Sequence, residues 1–109
     1  TSVHDQYPNT AWVAICRDGP AGAAVRAAHT AAHLAYIETI LEQINVAGPL
    51  FDEAGLNTVG SLFCYRTKSH AQARALVEGD PYFKGGAFAS VELFPHLPAA
   101  GQYIGGKVW

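Results

Sequence analysis

Arg26, His29 and His33 follow one another at intervals of three and four. At about 100° per residue, a helix carries such positions along one line. Ile37, Ile40 and Ile44 continue that line, and all six fall within roughly 80° of arc. The isoleucine half marks a core face. The basic half therefore extends the hydrophobic stripe instead of pointing into bulk water, and burying such groups without partners is costly. Two readings stand. Either the helix start is partly exposed and tolerates Arg and His, or these groups look into a polar pocket at one end of the core. In the second case an imidazole, whose charge changes near neutral pH, suits a general base.

Asp80 is the second singular point. It precedes Pro81, which keeps it out of the helical region and projects it from a sharp chain reversal. Its carboxylate can cap the amides of Tyr82 or Phe83. Alternatively it faces the first helix, bonds one imidazole, fixes its tautomer and makes the other nitrogen more basic. His29 and His33 also have the spacing of two metal ligands on one helical face. A third ligand would have to come from Asp80, His70 or His4, none at a telling separation, so no metal is expected. No nucleophile elbow, phosphate loop or dinucleotide fingerprint is present, and no cofactor is expected. His70 and His96 read as exposed. Cys16 and Cys64 read as small buried residues on neighbouring strands, whose thiols are either close together or simply inert.

These residues need elements to hold them. Residues 1–10 read as a tail. Residues 11–17 are an apolar, β-prone run, broken by Asp18-Gly19-Pro20. From Gly22 to Asn45 the sequence is alanine-rich and helical in period. Residues 47–51 form a second strand, with Gly48-Pro49 marking an edge. Residues 59–66 form a third, joined to it as a hairpin. A second helix starts at Ser69, with Gln72 at the capping-box spacing, and ends at Gly79. Residues 87–94 are a fourth strand. Residues 96–109 form a tail whose Tyr103, Ile104, Val108 and Trp109 are too apolar to dangle. The order βαββαβ, with right-handed crossovers, gives an α+β ferredoxin-like subunit: an antiparallel sheet with both helices on one face.

Composition narrows the function. The 109 residues make one domain, half of them apolar and only 15% charged, which excludes a disordered chain. A net charge of -2 leaves no basic excess for nucleic acid. No apolar run approaches the ~20 residues of a membrane span, and no signal-peptide pattern opens the sequence. The expected compartment is the cytoplasm. So few charges on so small a domain point to a homodimer that covers the free sheet face.

The ordered set Asp18-Gly19-Pro20-Ala21-Gly22, Arg26, His33-Leu34-Ala35-Tyr36-Ile37, Ala47-Gly48-Pro49-Leu50, Gly60-Ser61-Leu62, Asp80-Pro81-Tyr82 and Gly86-Ala87-Phe88 resembles the YCII-related (YciI-like) family. The resemblance runs from about Trp12 to Pro95. It implies a dimeric α/β barrel, with a His and Asp pair in a cleft at His33 and Asp80, and an arginine at Arg26. Many members carry a second arginine three positions before the histidine, where Thr30 stands here. An anionic ligand would lose that partner, and His29 is the candidate to replace it. One related group removes chloride from a chlorinated hydroxyhydroquinone. Similar barrels isomerise lactones or act on aromatic polyketides.

The resulting expectation is a small cofactor-independent lyase or isomerase acting on a small cyclic or aromatic anionic substrate. His33 is its general acid/base and Asp80 its orienter. Arg26 and His29 hold the anion or an enolate, and Trp12 and Tyr82 line an apolar pocket. The alternative is a dimeric module that binds a small metabolite without chemistry. The two differ in whether His33→Ala abolishes turnover or only alters binding.

Overall fold

β-Branched and aromatic residues alternate along four stretches of the chain, and these form one antiparallel sheet. In the computed structural model, which describes residues 1–107, the strands are β1 (Ala11–Asp18), β2 (Ile44–Phe51), β3 (Thr58–Tyr65) and β4 (Phe88–His96). Val108 and Trp109, expected to pack with the tail, lie outside the described residues. The spatial order is β2-β3-β1-β4. Pro49 and Pro95 fall on the two edge strands, where a missing N–H is tolerated. Helix α1 (Val3–Gln6) precedes the sheet. Helix α2 (Gly22–Thr39) links β1 to β2. Helices α3 (His70–Glu78) and α4 (Pro81–Lys84) link β3 to β4. This is the ferredoxin-like βαββαβ arrangement, with one extra turn at Asp80.

Register decides which side chains meet the helices. Trp12, Ala14 and Cys16 stand opposite Tyr65, Phe63 and Ser61 on β3, and opposite Pro95, Leu93 and Val91 on β4. That face forms the core with Tyr36, Ile37 and Ile40 from the end of α2 and with Ala73, Leu76 and Val77 from α3. The Phe63 and Tyr65 rings lie parallel, 5.6 Å apart. Ser69 caps α3 by accepting the Gln72 amide at 3.1 Å. The opposite face carries Val13, Ile15, Leu62 and Cys64, together with Val46 and Phe94, which are 40% and 49% exposed.

Two details depart from expectation, and the cysteines decide between two alternatives. The first helix ends at Thr39, six residues short of Asn45. A 3-10 turn (Leu41–Gln43) follows, and Ile44 then pairs with Tyr65 as the first residue of β2. Ile44 and Val46 gain a ladder there that suits branched side chains, so Ile44 is not on the helical stripe. Cys16 and Cys64 are both buried but lie on opposite faces of the sheet, since Cys16 faces Ser61 whereas Cys64 faces Val13. The tail forms a small hairpin, β5 (Ala100–Gly101) with β6 (Gly106–Lys107), in which Ile104 is half-buried and Tyr103 is 87% exposed. Among the described residues no helix is long and apolar enough to cross a membrane.

Candidate active site

A cavity of about 470 Å³ opens between α2 and the β2–β3 hairpin. Arg26, Thr30, His33 and Ile37 reach it from one face of α2, and Ala47, Pro49, Ser61 and Phe63 form its floor. Tyr82 closes one wall. Of the helical stripe read from the sequence, Arg26, His33 and Ile37 line this cavity and His29 does not.

Asp80 arrives by the Asp-Pro geometry. Its ψ of 129° is extended, and Pro81 starts α4 at the position where a missing N–H costs nothing. One carboxylate oxygen accepts the Tyr82 amide at 2.9 Å, capping α4. Both oxygens lie against His33 Nδ1, at 2.8 and 2.9 Å. The cap and the imidazole partner, set out above as alternatives, coexist. Asp80 is 1% exposed. An ionised carboxylate only accepts, so Nδ1 carries the hydrogen and Nε2 is the basic nitrogen of the neutral ring. The Tyr82 ring lies flat on the imidazole, with centroids 4.0 Å apart and planes 9° apart. His33 is thus held in plane by stacking and in tautomer by charge.

Arg26 also faces the cavity, but its charge is already engaged. Its Nε and Nη2 donate to the two oxygens of Asp18, each at 2.8 Å, and Nη2 also donates to Ser61 Oγ at 3.0 Å. The Asp18 carboxylate raises the Arg26 pKa, against the opposing effect of burial. The guanidinium sits 4.9 Å from the Tyr82 ring centre. Beneath the site, burial and then the Asp80 charge push the Cys16 thiol up to about 12. Burial likewise raises Tyr36 and Tyr65, with the Asp80 charge adding to it.

Two expected site residues are elsewhere. Trp12 is on the helix-facing side of β1 but opposite Tyr65, whereas the cavity floor uses Ser61. There Trp12 donates Nε1–H to the Lys68 carbonyl at 3.0 Å and packs between His4 and His70, with ring centres at 5.2 and 5.0 Å. His29 is exposed beside Gly85 and α4, because it lies about 60° round the helix from Arg26. His29 does not line the cavity. Thr30 does line the cavity; its hydroxyl donates to the Arg26 carbonyl and accepts from the Tyr82 hydroxyl at 3.4 Å. Asp18 and Ser61 were not anticipated as site residues. The available signal was the spacing Asp18, Gly22, Arg26: a Cβ on Gly22 would stand 2.6 Å from Asp18 Oδ2, so glycine makes room for that carboxylate. Among the described residues no three His, Cys, Asp or Glu side chains gather as a metal-ligand set.

Comparison with known proteins agrees with this fold. The solved 5-chloro-2-hydroxyhydroquinone dehydrochlorinase of Burkholderia phenoliruptrix AC1100, in complex with 2,5-dihydroxybenzoquinone, superposes with a TM-score of 0.71. It is 28% identical, over 85% of this chain and 97% of its own. No curated protein matches the chain in sequence. The family model for the YCII-related domain matches residues 10–96, from the start of β1 to the end of β4, and so encloses every residue of the cavity. The chain belongs to the YCII-related family.

Proposed function

We propose that this protein is a small cofactor-independent lyase or isomerase, in which His33 moves a proton on a cyclic or aromatic substrate held between α2 and β2. The observation that carries the proposal is the 2.8 Å contact between His33 and a buried Asp80 at the wall of a cavity. A space of about 470 Å³ suits a single-ring ligand. The likeness to an enzyme that removes chloride from a hydroxylated ring supports the same class of chemistry.

The chemistry follows from the tautomer. Neutral His33 presents Nε2 as a base and takes a proton from a ring hydroxyl or an activated ring carbon. Asp80 stabilises the imidazolium that forms. In an elimination the leaving group departs with its bonding electron pair and the proton passes on to solvent. In an isomerisation His33 returns the proton to a different atom of the ring. Tyr82 covers one face of the imidazole and keeps water from it. A second copy of the chain, seated on the apolar sheet face around Val13, Leu62 and Phe94, completes the proposal as a homodimer; sedimentation of the protein is expected to give twice the chain mass.

The test uses anaerobic protein with 5-chloro-2-hydroxyhydroquinone as substrate and methylhydroquinone as ligand. Chloride release by the wild type and its loss in His33→Ala are expected. Bound methylhydroquinone is expected to shift the His33 imidazole resonances and not those of His4 or His70. Chloride release that persists in His33→Ala ends the proposal. Binding without turnover makes the protein a metabolite-binding module instead.

A further inference from the structure

We infer that Asp18 makes this cavity selective for uncharged rings, in place of the anionic substrate expected from the sequence, by occupying Arg26 so that it does not anchor a ligand carboxylate. The inference deepens the proposed function and rests on it. Arg26 is the permanent cation of the cavity wall, and an arginine fork is the usual partner of a carboxylate. Here that fork is filled from within the chain. Asp18 takes two parallel hydrogen bonds from it, and Ser61 Oγ takes a third. The Arg26 and Asp18 side chains are only 13% and 9% exposed. Gly22 leaves the space that the Asp18 carboxylate fills. The pair is therefore built into the start of α2.

The charge balance of the cavity leads to the same conclusion. Its lining residues other than Arg26 and His33 carry no charge. Behind these two stand Asp18 and Asp80, each bonded directly. With neutral His33 the group is net negative, and with the imidazolium it is neutral. An entering carboxylate thus meets no uncompensated cation. At Nη1 it would meet a guanidinium whose charge Asp18 already balances, and to take the Nε–Nη2 fork it would have to strand Asp18 as a buried, unpaired charge, the costly way to break an ion pair. An uncharged ring faces no such exchange. Its hydroxyl or carbonyl oxygens can accept from Arg26 Nη1, which makes no hydrogen bond among the described residues, and can bond the Thr30 and Thr58 hydroxyls.

The probe is a matched pair of rings, methylhydroquinone and 2,5-dihydroxybenzoate, which differ in a methyl against a carboxylate. Dissociation constants are measured anaerobically by calorimetry. The wild type is expected to prefer methylhydroquinone by at least about tenfold, since carboxylate binding competes with a buried ion pair. Asp18→Asn frees the guanidinium and is expected to move the ratio at least about tenfold toward the carboxylate. Adding Arg26→Gln to that variant is expected to reverse the movement. A wild type that prefers the carboxylate overturns the inference without any variant. So does a folded Asp18→Asn protein that binds with an unchanged ratio, and that result leaves the proposed function intact. Should Asp18→Asn fail to fold, the double variant with two neutral amides replaces it: a roughly tenfold fall in 2,5-dihydroxybenzoate affinity below the wild type would reveal Arg26 as an anion anchor and overturn the inference. Failure of both rings to bind the wild type overturns the ring site and this inference together.

Discussion

Two histidines in this protein lie stacked on an aromatic ring, one at each end of the sheet, and only one is paired with a carboxylate. His33 rests on Tyr82 at 4.0 Å, with Nδ1 against the Asp80 carboxylate. His4 rests on Trp12 at 5.2 Å, with Nδ1 against the Thr10 hydroxyl at 2.7 Å. A carboxylate only accepts and so fixes the tautomer; a hydroxyl gives or takes a hydrogen bond and fixes nothing. The surrounding cations differ in the same sense. Arg26 is spoken for by Asp18 in a nearly buried pair. At the other end Lys68 donates to the His4 and Tyr7 carbonyls, at 2.9 and 3.0 Å, and both Lys68 and Arg66 are exposed. The hollow they line is the roomier one, about 530 Å³ against about 470 Å³. Volume therefore does not single out the proposed active end; paired, sheltered charge does.

The sharpest way to break the comparison is to remove each imidazole. His33→Ala is expected to lower the rate on a chlorinated hydroxyhydroquinone by about 10²–10⁴-fold, the usual weight of a positioned acid/base group. His4→Ala is expected to leave it within about twofold, because His4 touches nothing in the cavity. Equal losses from the two variants, followed by chloride release, would erase the distinction.

Stability separates buried from exposed pairing next. Asp18→Ala leaves Arg26 sheltered without its partner and is expected to cost about 3–5 kcal/mol in urea unfolding. Glu92→Ala removes an ion pair with Arg17 whose side chains are 49% and 66% exposed, and is expected to cost under about 1 kcal/mol. A small effect at Asp18 would mean that solvent reaches the pair freely.

Much of this arrangement is legible in the sequence, for reasons that differ from residue to residue. The strands and the pocket-facing line Arg26, His33 and Ile37 follow from periodicity, since period alone says which face a side chain takes. Asp80 follows from the residue after it, because proline dictates where the carboxylate projects. Trp12 shows the limit of such reasoning: a ring in an apolar strand reads as pocket lining, but only the β1–β3 register shows that it lies at the other end. The end of α2 was hidden because Ile44 continues the helical stripe and also satisfies a strand. Asp18 was hidden because a carboxylate before Gly-Pro reads as a turn residue, and its arginine partner is fixed only once α2 folds back past it.

Alkaline pH tests the core beneath the cavity. The Cys16 thiol, raised from 9.0 to about 12 by burial and by the Asp80 charge, stays protonated in the fold over a range where the unfolded chain ionises. The unfolded state then binds fewer protons, so the stability Cys16 contributes is full below about pH 9 and is lost as pH climbs toward 12. The slope from this group is at most about 1.4 kcal/mol per pH unit. Cys16→Ala is expected to flatten the pH dependence of urea unfolding above pH 9, measured against the wild type. An unchanged slope would show that the thiol ionises in place, with water at the floor of the site.

The smallest effect is the most discriminating for the idle histidine. His4 Nε2 is buried and makes no hydrogen bond among the described residues, while Nδ1 serves only Thr10. The orphaned nitrogen costs about 1–3 kcal/mol, which offsets what the stack and the single bond contribute. Replacing both partners together, as His4→Phe with Thr10→Val, keeps an aromatic ring on Trp12 and removes every unsatisfied atom. The double variant is expected to unfold at the same temperature as the wild type or a few degrees higher, a gain of at most about 1 kcal/mol. The same logic fails at the other end, where His33→Phe leaves the Asp80 carboxylate buried without its imidazole and is expected to destabilise. If the His4/Thr10 pair proves as sensitive to apolar replacement as His33, then His4 is held for a purpose that stacking on Trp12 does not explain.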